Sequence, residues 1–394
     1  MSFISQKFSE NLPLLSPDAL EIAQRLRDLK PYQPGKPIEE VKREFGITGE
    51  IVKLASNENP LGPSPAALQS LSDALPRLAL YPDGGCHDLR LAVADELQVS
   101  PDMLVFGNGS DEIIHLLGLT FLEDGDEIVI GDPTFVLYEA AATLAGAKSV
   151  KVPLTRPELV HDLDAMADAV TAKTRLVFVA NPHNPTGTVV EDKAAINRLL
   201  ARLPSRAMLV LDEAYAEYVY HRPQFPKALD YIREGAPVIG LRTFSKMYGL
   251  AGLRVGFGVA DSQVIALMNQ ARSPFNVNLA AQIAATSAIT DTAFVEKSLR
   301  TNTDGLNQFY AGFERMGLPY IPSFANFVLV DTKQPCREVF TALLKQGVIV
   351  RTGDVFGLPT FLRVTVGTAT QNDRFLKSLE DVLMTLSAGT PVGS

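Results

Sequence analysis

The sequence is poor in several features that define large classes of proteins. It contains two cysteines, Cys86 and Cys336, and no tryptophan. Two cysteines without C-x-x-C spacing exclude a disulfide scaffold and predict no metal site. No apolar run approaches the roughly 20 residues that span a bilayer, and the first residues lack the layout of a secretory signal. We therefore expect a cytoplasmic protein without a membrane partner.

Positive charge is also scarce. The chain carries 36 Lys and Arg against 45 Asp and Glu, a net charge of −9. A protein that binds nucleic acid usually presents a basic surface, so nucleic acid is not an expected partner. The length of 394 residues allows a large domain and a smaller one, and a hydrophobic content of 46% is that of an ordinary globular protein.

The middle of the chain alternates between two patterns. Helical patterns cover 111–122, 134–145 and 192–203. The strand-like apolar runs are 103–106, 127–130, 149–152, 175–180, 208–211, 238–241 and 254–260. Strands that alternate with crossover helices predict an α/β fold, with a mainly parallel seven-stranded sheet covered by helices on both faces.

The flanking sequence predicts the domain organisation. We expect an N-terminal arm and linker at 1–50, with an amphipathic helix at 18–30 followed by a proline-rich stretch. A large domain at 51–270 follows, and its first part can pack with a smaller α+β domain at 271–386. The small domain has strand patterns at 327–330, 348–351 and 361–366 and a final helix at 372–386. We expect the tail at 387–394 to be disordered.

Lys246 stands in a turn between two of the apolar runs. A desolvated lysine loses its proton more easily and becomes a nucleophile toward carbonyl groups. Thr243 lies three residues before it and Arg254 eight after, so a hydroxyl and a guanidinium are available to hold a phosphate. An amine beside a phosphate site favours pyridoxal phosphate held as a Schiff base. An ordinary surface lysine in a loop is the alternative interpretation.

Other polar residues follow other strands and should meet at the same edge of the sheet. Asp212 ends the run 208–211 and suits the partner of a protonated ring nitrogen, although an aspartate here can also cap a helix. Tyr215 and Asn184 can donate to a phenolic oxygen, with a core tyrosine and a turn residue as the alternatives. His183, next to Asn184, is more consistent with a loop residue than with a base.

A glycine-containing turn, 107–110, precedes a helix whose N-terminal amides can bind phosphate. Ser110, Asp111 and Glu112 are the candidates there for contact with the cofactor. Phe135 can stack on a cofactor ring, although a phenylalanine after a strand is more often part of the core. The glycine pattern is weak evidence on its own.

The order of these motifs resembles a known superfamily. Gly-Ser-Asp-Glu, Pro-Thr-Phe, Asn-Pro-x-Asn-Pro-Thr-Gly, Asp-Glu-Ala-Tyr, Thr-Phe-Ser-Lys and the later Arg254 look like the fold-type-I, pyridoxal-phosphate-dependent aminotransferases. Within it, the stretches 53–63, 81–83, 241–254, 272–278 and 362–368 are similar to histidinol-phosphate aminotransferases. The resemblance extends from about Leu29 to the final helix.

The resemblance implies a role for each matching residue. Lys246 would form the Schiff base and then carry a proton, Asp212 would pair with the ring nitrogen, and Phe135 would lie over the ring. Many relatives have a tyrosine in place of Phe135. The phenolic oxygen would meet Tyr215 and Asn184. The residues around the phosphate would be Ser110, Asp111, Thr243, Ser245 and Arg254, with Tyr81 contributed by the neighbouring subunit of a homodimer whose active sites lie at the interface.

Substrate binding is implied for four further residues. Arg363 would form a two-pronged contact with the α-carboxylate or with a substrate phosphate, assisted by Arg351 and Tyr32. Strand-end arginines in ion pairs are the alternative. Asn57 would lie near the substrate. Asp354 departs from expectation, because a carboxylate in the pocket would disfavour a phosphate dianion.

The resulting hypothesis is transamination between histidinol phosphate (imidazole-acetol phosphate) and 2-oxoglutarate or glutamate, with a small amino donor and a 2-oxo acid as partners. An aminotransferase acting on phenylalanine or tyrosine is the alternative, because its substrates also place a planar ring beyond the amine. A lyase similar to threonine-phosphate decarboxylase is a third hypothesis. A non-catalytic regulator is disfavoured, because no DNA-binding segment is added and every catalytic position is filled.

Overall fold

The computed structural model describes residues 35–388 together with Leu26 and Leu29. The strands are β1 (Val52–Lys53), β2 (Leu104–Gly107), β3 (Glu127–Asp132), β4 (Lys148–Pro153), β5 (Thr174–Ala180), β6 (Met208–Asp212), β7 (Val238–Thr243), β8 (Gly256–Val259), β9 (Tyr320–Ile321), β10 (Phe327–Asp331), β11 (Val348–Ile349), β12 (Arg351–Thr352) and β13 (Phe361–Thr365). The helices are α1 (Ile38–Phe45), α2 (Pro65–Ala74), α3 (His87–Leu97), α4 (Gly109–Phe121), α5 (Val136–Ala145), α6 (Leu163–Asp168), α7 (Lys193–Arg202), α8 (Ala228–Arg233), α9 (Ser262–Ala271), α10 (Leu279–Ala288), α11 (Thr292–Met316), α12 (Cys336–Lys345) and α13 (Ala369–Ala388). The helix predicted at 18–30 and the tail beyond residue 388 lie outside the described residues.

Seven strands form the large sheet, in the order β2-β8-β7-β6-β5-β3-β4. The strands β7, β6, β5, β3 and β4 are parallel to their neighbours, whereas β8 is antiparallel to both β7 and β2. The predicted mainly parallel seven-stranded α/β sheet is therefore confirmed. Because β2 also runs in the direction of β7, the turns after β2, β6 and β7 meet at one edge.

Both faces of the large sheet are buried. Successive residues of one strand point to opposite faces, so Val177 and Leu209 contribute to one hydrophobic core and their neighbours Phe178 and Val210 to the other. A sheet with two apolar faces needs helices on both sides. The resulting three layers, helices on either side of one sheet, position the turns at the strand ends.

A second, four-stranded antiparallel sheet has the order β12-β13-β10-β9. Its core includes Phe309 and Phe313 of α11 and Phe375 of α13. Residues 281–289, on and just after α10, pack instead in the core of the large sheet. The predicted boundaries at residues 50, 270 and 386 stay a prediction, because these contacts describe cores and not independently folding units.

The run 348–351 is not the single strand that the sequence predicted. β11 pairs in parallel with β1 through Val52 and Val348, whereas β12 pairs with β13 through Arg351 and Arg363. Both partners are apolar segments, so the change of partner at Val350 leaves no local signal in the pattern. One consequence is that the chain just after β1 is held against the small sheet.

Several helices begin at a side chain that satisfies their first amides. Asp192, Asp261, Asn278 and Asp291 each accept a hydrogen bond from the first turn of α7, α9, α10 and α11. Such caps fix where a helix begins. Among helices in the described part of the chain, none is long and apolar enough to cross a membrane.

Candidate active site

A cavity of about 650 Å³ opens at the edge where the polar turns of the large sheet meet the small sheet. It gathers residues that are far apart in the sequence. The predicted site residues that line it are Asn57, Ser110, Asp111, Phe135, Asn184, Asp212, Tyr215, Thr243, Ser245, Lys246, Arg254, Arg351 and Arg363.

Asp212, the last residue of β6, is a buried carboxylate at one end of the cavity. Its Oδ2 accepts a hydrogen bond of 2.5 Å from the Tyr138 hydroxyl, and its Oδ1 accepts one of 3.1 Å from the amide of Ala214. Burial raises the pKa of Asp212 to about 6, although these two hydrogen bonds oppose the change. A cation that approached this carboxylate would favour its ionised form.

A second group of residues in the cavity wall is arranged to hold an anion. The helix α4 begins at Gly109, which lies close to the Arg254 guanidinium, and Gly109, Ser110 and Arg254 all line the cavity. Arg254 Nη2 lies 3.0 Å from Asp111 Oδ2, which holds the guanidinium in position. The φ of +74° at Gly109 favours glycine, and a Cβ there would displace the Arg254 guanidinium, because it would lie 2.7 Å from Nη2. The hydroxyls of Thr243 and Ser245 line the same cavity.

Lys246 follows β7, is partly buried and lines the same cavity. Its Nζ donates to the backbone carbonyl of Ser56 at 3.0 Å. Nζ also lies 5.8 Å from the centre of the Tyr215 ring. The segment around Ser56, which precedes the large sheet in the sequence, therefore contributes to the site.

Tyr215 is buried at the wall of the cavity. Its ring packs edge-on against Phe327, with ring centres 5.3 Å apart. The Asn57 side-chain amide donates to the Tyr215 hydroxyl at 2.9 Å. Asn57 therefore contacts a residue predicted to bind the cofactor.

Arg363, in the middle of β13, is held from two sides. Its Nη1 donates to Asn184 Oδ1 at 2.6 Å and its Nη2 donates to the carbonyl of Ala55 at 3.0 Å. The guanidinium also lies 5.6 Å from the centre of the Phe356 ring. Arg351 stands directly opposite Arg363 across β12 and β13. Two guanidinium groups therefore line the small-sheet wall of the cavity.

Asp354 begins a 3₁₀ turn that leads to Phe356 and is not among the residues that line the cavity. Its Oδ2 forms an ion pair with Arg337, and its Oδ1 accepts from the Cys336 thiol at 3.6 Å. Burial tends to raise the pKa of Asp354, but hydrogen bonds from Thr352 and Arg337 outweigh burial and lower it. The negative charge is thus compensated by a cation outside the pocket.

Comparison with known proteins assigns the family. The family model described as aminotransferase class I and II matches residues 49–379. The chain is 54% identical over 356 residues to a histidinol-phosphate aminotransferase of Moorella thermoacetica, covering 90% of this chain and 91% of the relative. It is 46% identical to one of Bacillus subtilis, covering 92% of this chain and 100% of the relative. The chain belongs to the class I and II aminotransferases.

A solved structure agrees with this assignment to the aminotransferases. The histidinol-phosphate aminotransferase of Sinorhizobium meliloti, solved in complex with pyridoxal-5′-phosphate, superposes with a TM-score of 0.84 at 26% identity, covering 93% of this chain and 98% of that one. The predicted resemblance to the histidinol-phosphate aminotransferase family and the fold-type-I architecture are confirmed.

Pyridoxal phosphate is the cofactor of this aminotransferase. The residues present fit it. Its anionic phosphate matches the end of the cavity formed by α4 and Arg254, where the Gly109 position leaves no room for a Cβ. Its cationic ring nitrogen matches Asp212, a buried carboxylate whose cavity-lining neighbours supply hydrogen bonds and no positive charge to it.

Some predicted site residues of the aminotransferase do not line the cavity. Glu112 Oε2 accepts from the amide of Asn108 at 2.6 Å and from Asn276 Nδ2 at 2.9 Å, so it braces the turn before α4. Tyr81 is 83% exposed, with its ring stacked on Phe275 at 5.0 Å. Tyr32 lies outside the described residues.

His183 is also absent from the cavity wall. It is buried beside His161, and its ring nitrogens contact Thr186 Oγ1 at 2.8 Å and Thr134 Oγ1 at 3.3 Å. Burial lowers the pKa of both imidazoles, to about 4 for His161 and well below the ordinary value for His183. This neutral pair lies behind the loop that carries Asn184.

Sequence reasoning missed several residues of the aminotransferase site. Tyr138, which bonds Asp212, lies three residues after Phe135 and looked like part of a helix core. The backbone carbonyls of Ala55 and Ser56 have no side-chain signal that could have identified them. Phe356 lies five residues after Arg351 in the sequence and lines the cavity 5.6 Å from the Arg363 guanidinium, a contact for which the sequence carries no signal.

Proposed function

We propose that this aminotransferase interconverts histidinol phosphate and imidazole-acetol phosphate in histidine biosynthesis, with 2-oxoglutarate and glutamate as the second substrate pair. The pair of guanidinium groups on β12 and β13 carries this proposal. Arg351 and Arg363 face each other in register and both line the cavity. Two guanidinium groups suit a phosphate dianion, which offers more acceptor oxygens than a carboxylate. The names of the relatives support the same substrate.

The position of Asp354 supports a phosphate-bearing substrate. A carboxylate in the pocket would repel a dianion, but this one is paired with Arg337 and lies outside the cavity wall. Asp354 therefore adds no negative charge to the cavity wall on which Arg351 and Arg363 lie.

Each catalytic residue has a task for which its surroundings fit. When bound, pyridoxal phosphate supplies the electron sink that makes the α-hydrogen of the substrate acidic. Lys246 Nζ, held by the Ser56 carbonyl, would take the proton from the substrate α-carbon as a base and deliver it as an acid to the C4′ carbon of the cofactor. Asp212, itself oriented by Tyr138, keeps the ring nitrogen protonated.

The remaining side chains orient the reactants. Tyr215 and Asn184 are the donors for the phenolic oxygen. Because Asn184 Oδ1 accepts from Arg363, its NH₂ group is the end that can donate. The same contact ties the substrate arginine to a cofactor residue. Phe135 supplies an apolar face for the ring.

We also propose a homodimer. Tyr81 and Phe275 form an exposed aromatic pair, close in sequence to the exposed Leu78 and Leu80. Exposed apolar side chains of this size favour burial against another protein surface. A second copy of the chain would cover them and bring Tyr81 to the phosphate of the neighbouring site. Sedimentation of the purified protein tests this, and a monomer at micromolar concentration would exclude it.

A cytoplasmic location completes the proposal. Both cysteines are free thiols, as expected in a reducing compartment. Fractionation of cells that express the full chain tests the location.

The substrate is tested by rapid mixing of the cofactor-loaded protein with histidinol phosphate and, separately, with phenylalanine. Transamination removes the visible absorbance of the bound cofactor. We expect a much larger second-order rate constant with histidinol phosphate. A faster reaction with phenylalanine would assign the enzyme to aromatic metabolism. No loss of absorbance with either, in a yellow protein, would favour the lyase.

A further inference from the structure

Three consecutive residues after β1 each contact a different residue of the candidate site. The backbone carbonyl of Ala55 accepts from Arg363, the backbone carbonyl of Ser56 accepts from Lys246, and the side-chain amide of Asn57 donates to Tyr215. The first two contacts use the backbone. The contact of Asn57 uses the side chain, so its identity matters at this position.

The hydrogen bonds around Asn57 fix the orientation of its side-chain amide. Its backbone N–H donates to Thr365 Oγ1 at 2.9 Å, and the Thr365 hydroxyl donates to Asn57 Oδ1 at 3.1 Å. This orientation of the amide leaves Nδ2 facing Tyr215, at 2.9 Å from its hydroxyl oxygen. An amide NH₂ can only donate, so the Tyr215 oxygen is the acceptor in this pair. The hydroxyl hydrogen of Tyr215 therefore points away from Asn57, and Tyr215 itself lines the cavity.

The backbone at Asn57 also supports a specific role for this residue. Its φ is +56°, a left-handed conformation that asparagine tolerates better than most residues with a Cβ. Its carbonyl accepts from Asn326 Nδ2 at 3.0 Å. Asn57, Thr365 and Tyr215 are 1%, 3% and 5% exposed, so water does not compete for these bonds.

We propose that Asn57 is a positioning residue that makes the Tyr215 hydroxyl a donor toward the phenolic oxygen of the cofactor, and that Thr365 holds Asn57 in that orientation. The proposal rests on the proposed placement of the cofactor beside Tyr215. It replaces a direct contact with the substrate as the main task of Asn57, because both ends of the amide are engaged by protein groups.

The proposal has a consequence for the coupling of the two sheets. Thr365 lies on β13, two residues after Arg363. A movement of β13 when the substrate binds Arg363 would therefore reach the Tyr215 hydroxyl through Asn57. The electrostatic surroundings agree, because burial raises the pKa of Tyr215 while Arg363 and the Asn57 hydrogen bond oppose that rise.

The test measures the pH at which the visible absorbance of the bound cofactor changes, without substrate, in cofactor-loaded variants. A donor to the phenolic oxygen stabilises its anionic form, so losing the donor moves this midpoint upward. We expect Tyr215→Phe to raise the midpoint by roughly one pH unit. Asn57→Gly, which keeps the left-handed backbone accessible while removing the amide, should raise it by part of that amount.

The double variant decides whether Asn57 acts through Tyr215. If it does, Asn57→Gly combined with Tyr215→Phe shifts the midpoint no further than Tyr215→Phe alone. Additive shifts, or no shift in Asn57→Gly, would overturn the inference while leaving the cofactor site intact. An unchanged midpoint in Tyr215→Phe would instead refute the placement of the cofactor beside Tyr215.

Thr365 supplies a matched pair if Asn57→Gly does not fold. Thr365→Val removes the hydroxyl at nearly constant volume and should move the midpoint upward, whereas Thr365→Ser keeps the hydroxyl and should leave the midpoint unchanged. Equal midpoints in these two variants would contradict the role given to the hydrogen bond between Thr365 and Asn57.

Discussion

The cofactor end and the substrate end of the cavity are assembled in different ways. At the cofactor end, Asp212, Thr243 and Lys246 lie at or just after the ends of adjacent strands of one sheet, so strand register alone brings them together. At the substrate end, Arg363 depends on Asn184 and on Ala55, which lies 308 positions away in the chain. Short sequence motifs are therefore enough to predict the cofactor end. The substrate end forms only when the two sheets pack against each other.

The two ends also differ in how a carboxylate is compensated. Asp212 is buried, accepts hydrogen bonds from neutral donors and has a raised pKa, and no described residue forms an ion pair with it. Asp354 is compensated by Arg337, which is part of the protein. The carboxylate of Asp212 therefore gains a cationic partner only when the cofactor binds, whereas Asp354, outside the cavity wall, already has Arg337 as its partner. The following experiments test this contrast.

Lys246→Ala should have the largest effect. Removing the amine takes away the base and the covalent attachment, so we expect turnover to fall by about 10⁴-fold or more. The visible absorbance of the bound cofactor should change while circular dichroism stays that of the folded protein. The control is Lys297→Ala, an exposed lysine on α11. Turnover near that of the control in Lys246→Ala would refute the assignment.

Arg363→Ala should damage the substrate end selectively. We expect kcat/KM to fall by about a hundredfold or more, because the substrate anion loses a buried, two-pronged partner. Cofactor affinity should change little. Arg363→Lys keeps the charge but loses the planar fork, so it should recover only part of the loss. An unchanged kcat/KM in Arg363→Ala would exclude the anchoring role.

Arg254→Ala should give the opposite result. Loss of a charge-assisted contact costs about 1.5–3 kcal/mol, so the dissociation constant of the cofactor should rise about 10- to 100-fold. With the cofactor saturating, the spectrum should be close to that of the unmodified enzyme. Arg300→Ala is a suitable control, because Arg300 is an exposed arginine paired with Glu296 on α11. Equal cofactor affinity in the two variants would contradict a phosphate site at Arg254.

The buried pair of His161 and His183 should make the folded protein less stable in acid. His161 has a pKa of about 4 when folded and about 6.5 when unfolded. Between these values the unfolded chain binds a proton that the folded chain does not, so the free energy of unfolding falls as the pH falls from 6.5 toward 4. Each such histidine contributes about 1.4 kcal/mol per pH unit.

His161→Phe isolates this contribution, because Asp212 titrates in both proteins. Between pH 7 and pH 5, the free energy of unfolding of the cofactor-free protein, measured with urea, should fall by about 2 kcal/mol less in the variant, with most of the difference below pH 6. Identical slopes would show that His161 is not held neutral in the folded protein.

Arg337→Ala should have the smallest effect. It removes the cation that compensates Asp354, so kcat/KM for histidinol phosphate should fall by roughly threefold, with less change for phenylalanine. Adding Asp354→Asn to this variant should restore the rate, because no charge is then left to repel the phosphate. A loss that persists in the double variant would indicate a packing effect.

Much of the cofactor end could be predicted because its residues follow recognisable strands. Lys246 and Asp212 each stand at the end of an apolar run, and the run itself predicts the edge at which they meet. Tyr138 was not predicted, because a tyrosine on a helix packs in the core in most proteins. Tyr138 does pack in the core, with its ring stacked on Phe178 at 4.5 Å, and its hydroxyl also donates to Asp212.

The substrate end was harder to predict for physical reasons. The two predicted arginines do line the cavity, but their partners could not be predicted, because pairing between sheets leaves no periodic pattern in either segment. The run 348–351 changes partners within four residues. The contacts of Ala55 and Ser56 are made by backbone carbonyls, which every residue type has.

The hydrogen bond between Asn57 and Thr365 has a consequence for how the enzyme is made. These residues are 308 positions apart, and a ribosome adding about 5–20 residues per second needs roughly 15 to 60 s to go from one to the other. Every strand of the large sheet has been synthesised before Thr365 is added. A nascent chain that stops short of β13 therefore carries nearly every residue proposed to bind the cofactor but lacks Arg363, which is proposed to bind the substrate. During translation, the residues proposed to bind the cofactor are thus synthesised before the arginine proposed to bind the substrate.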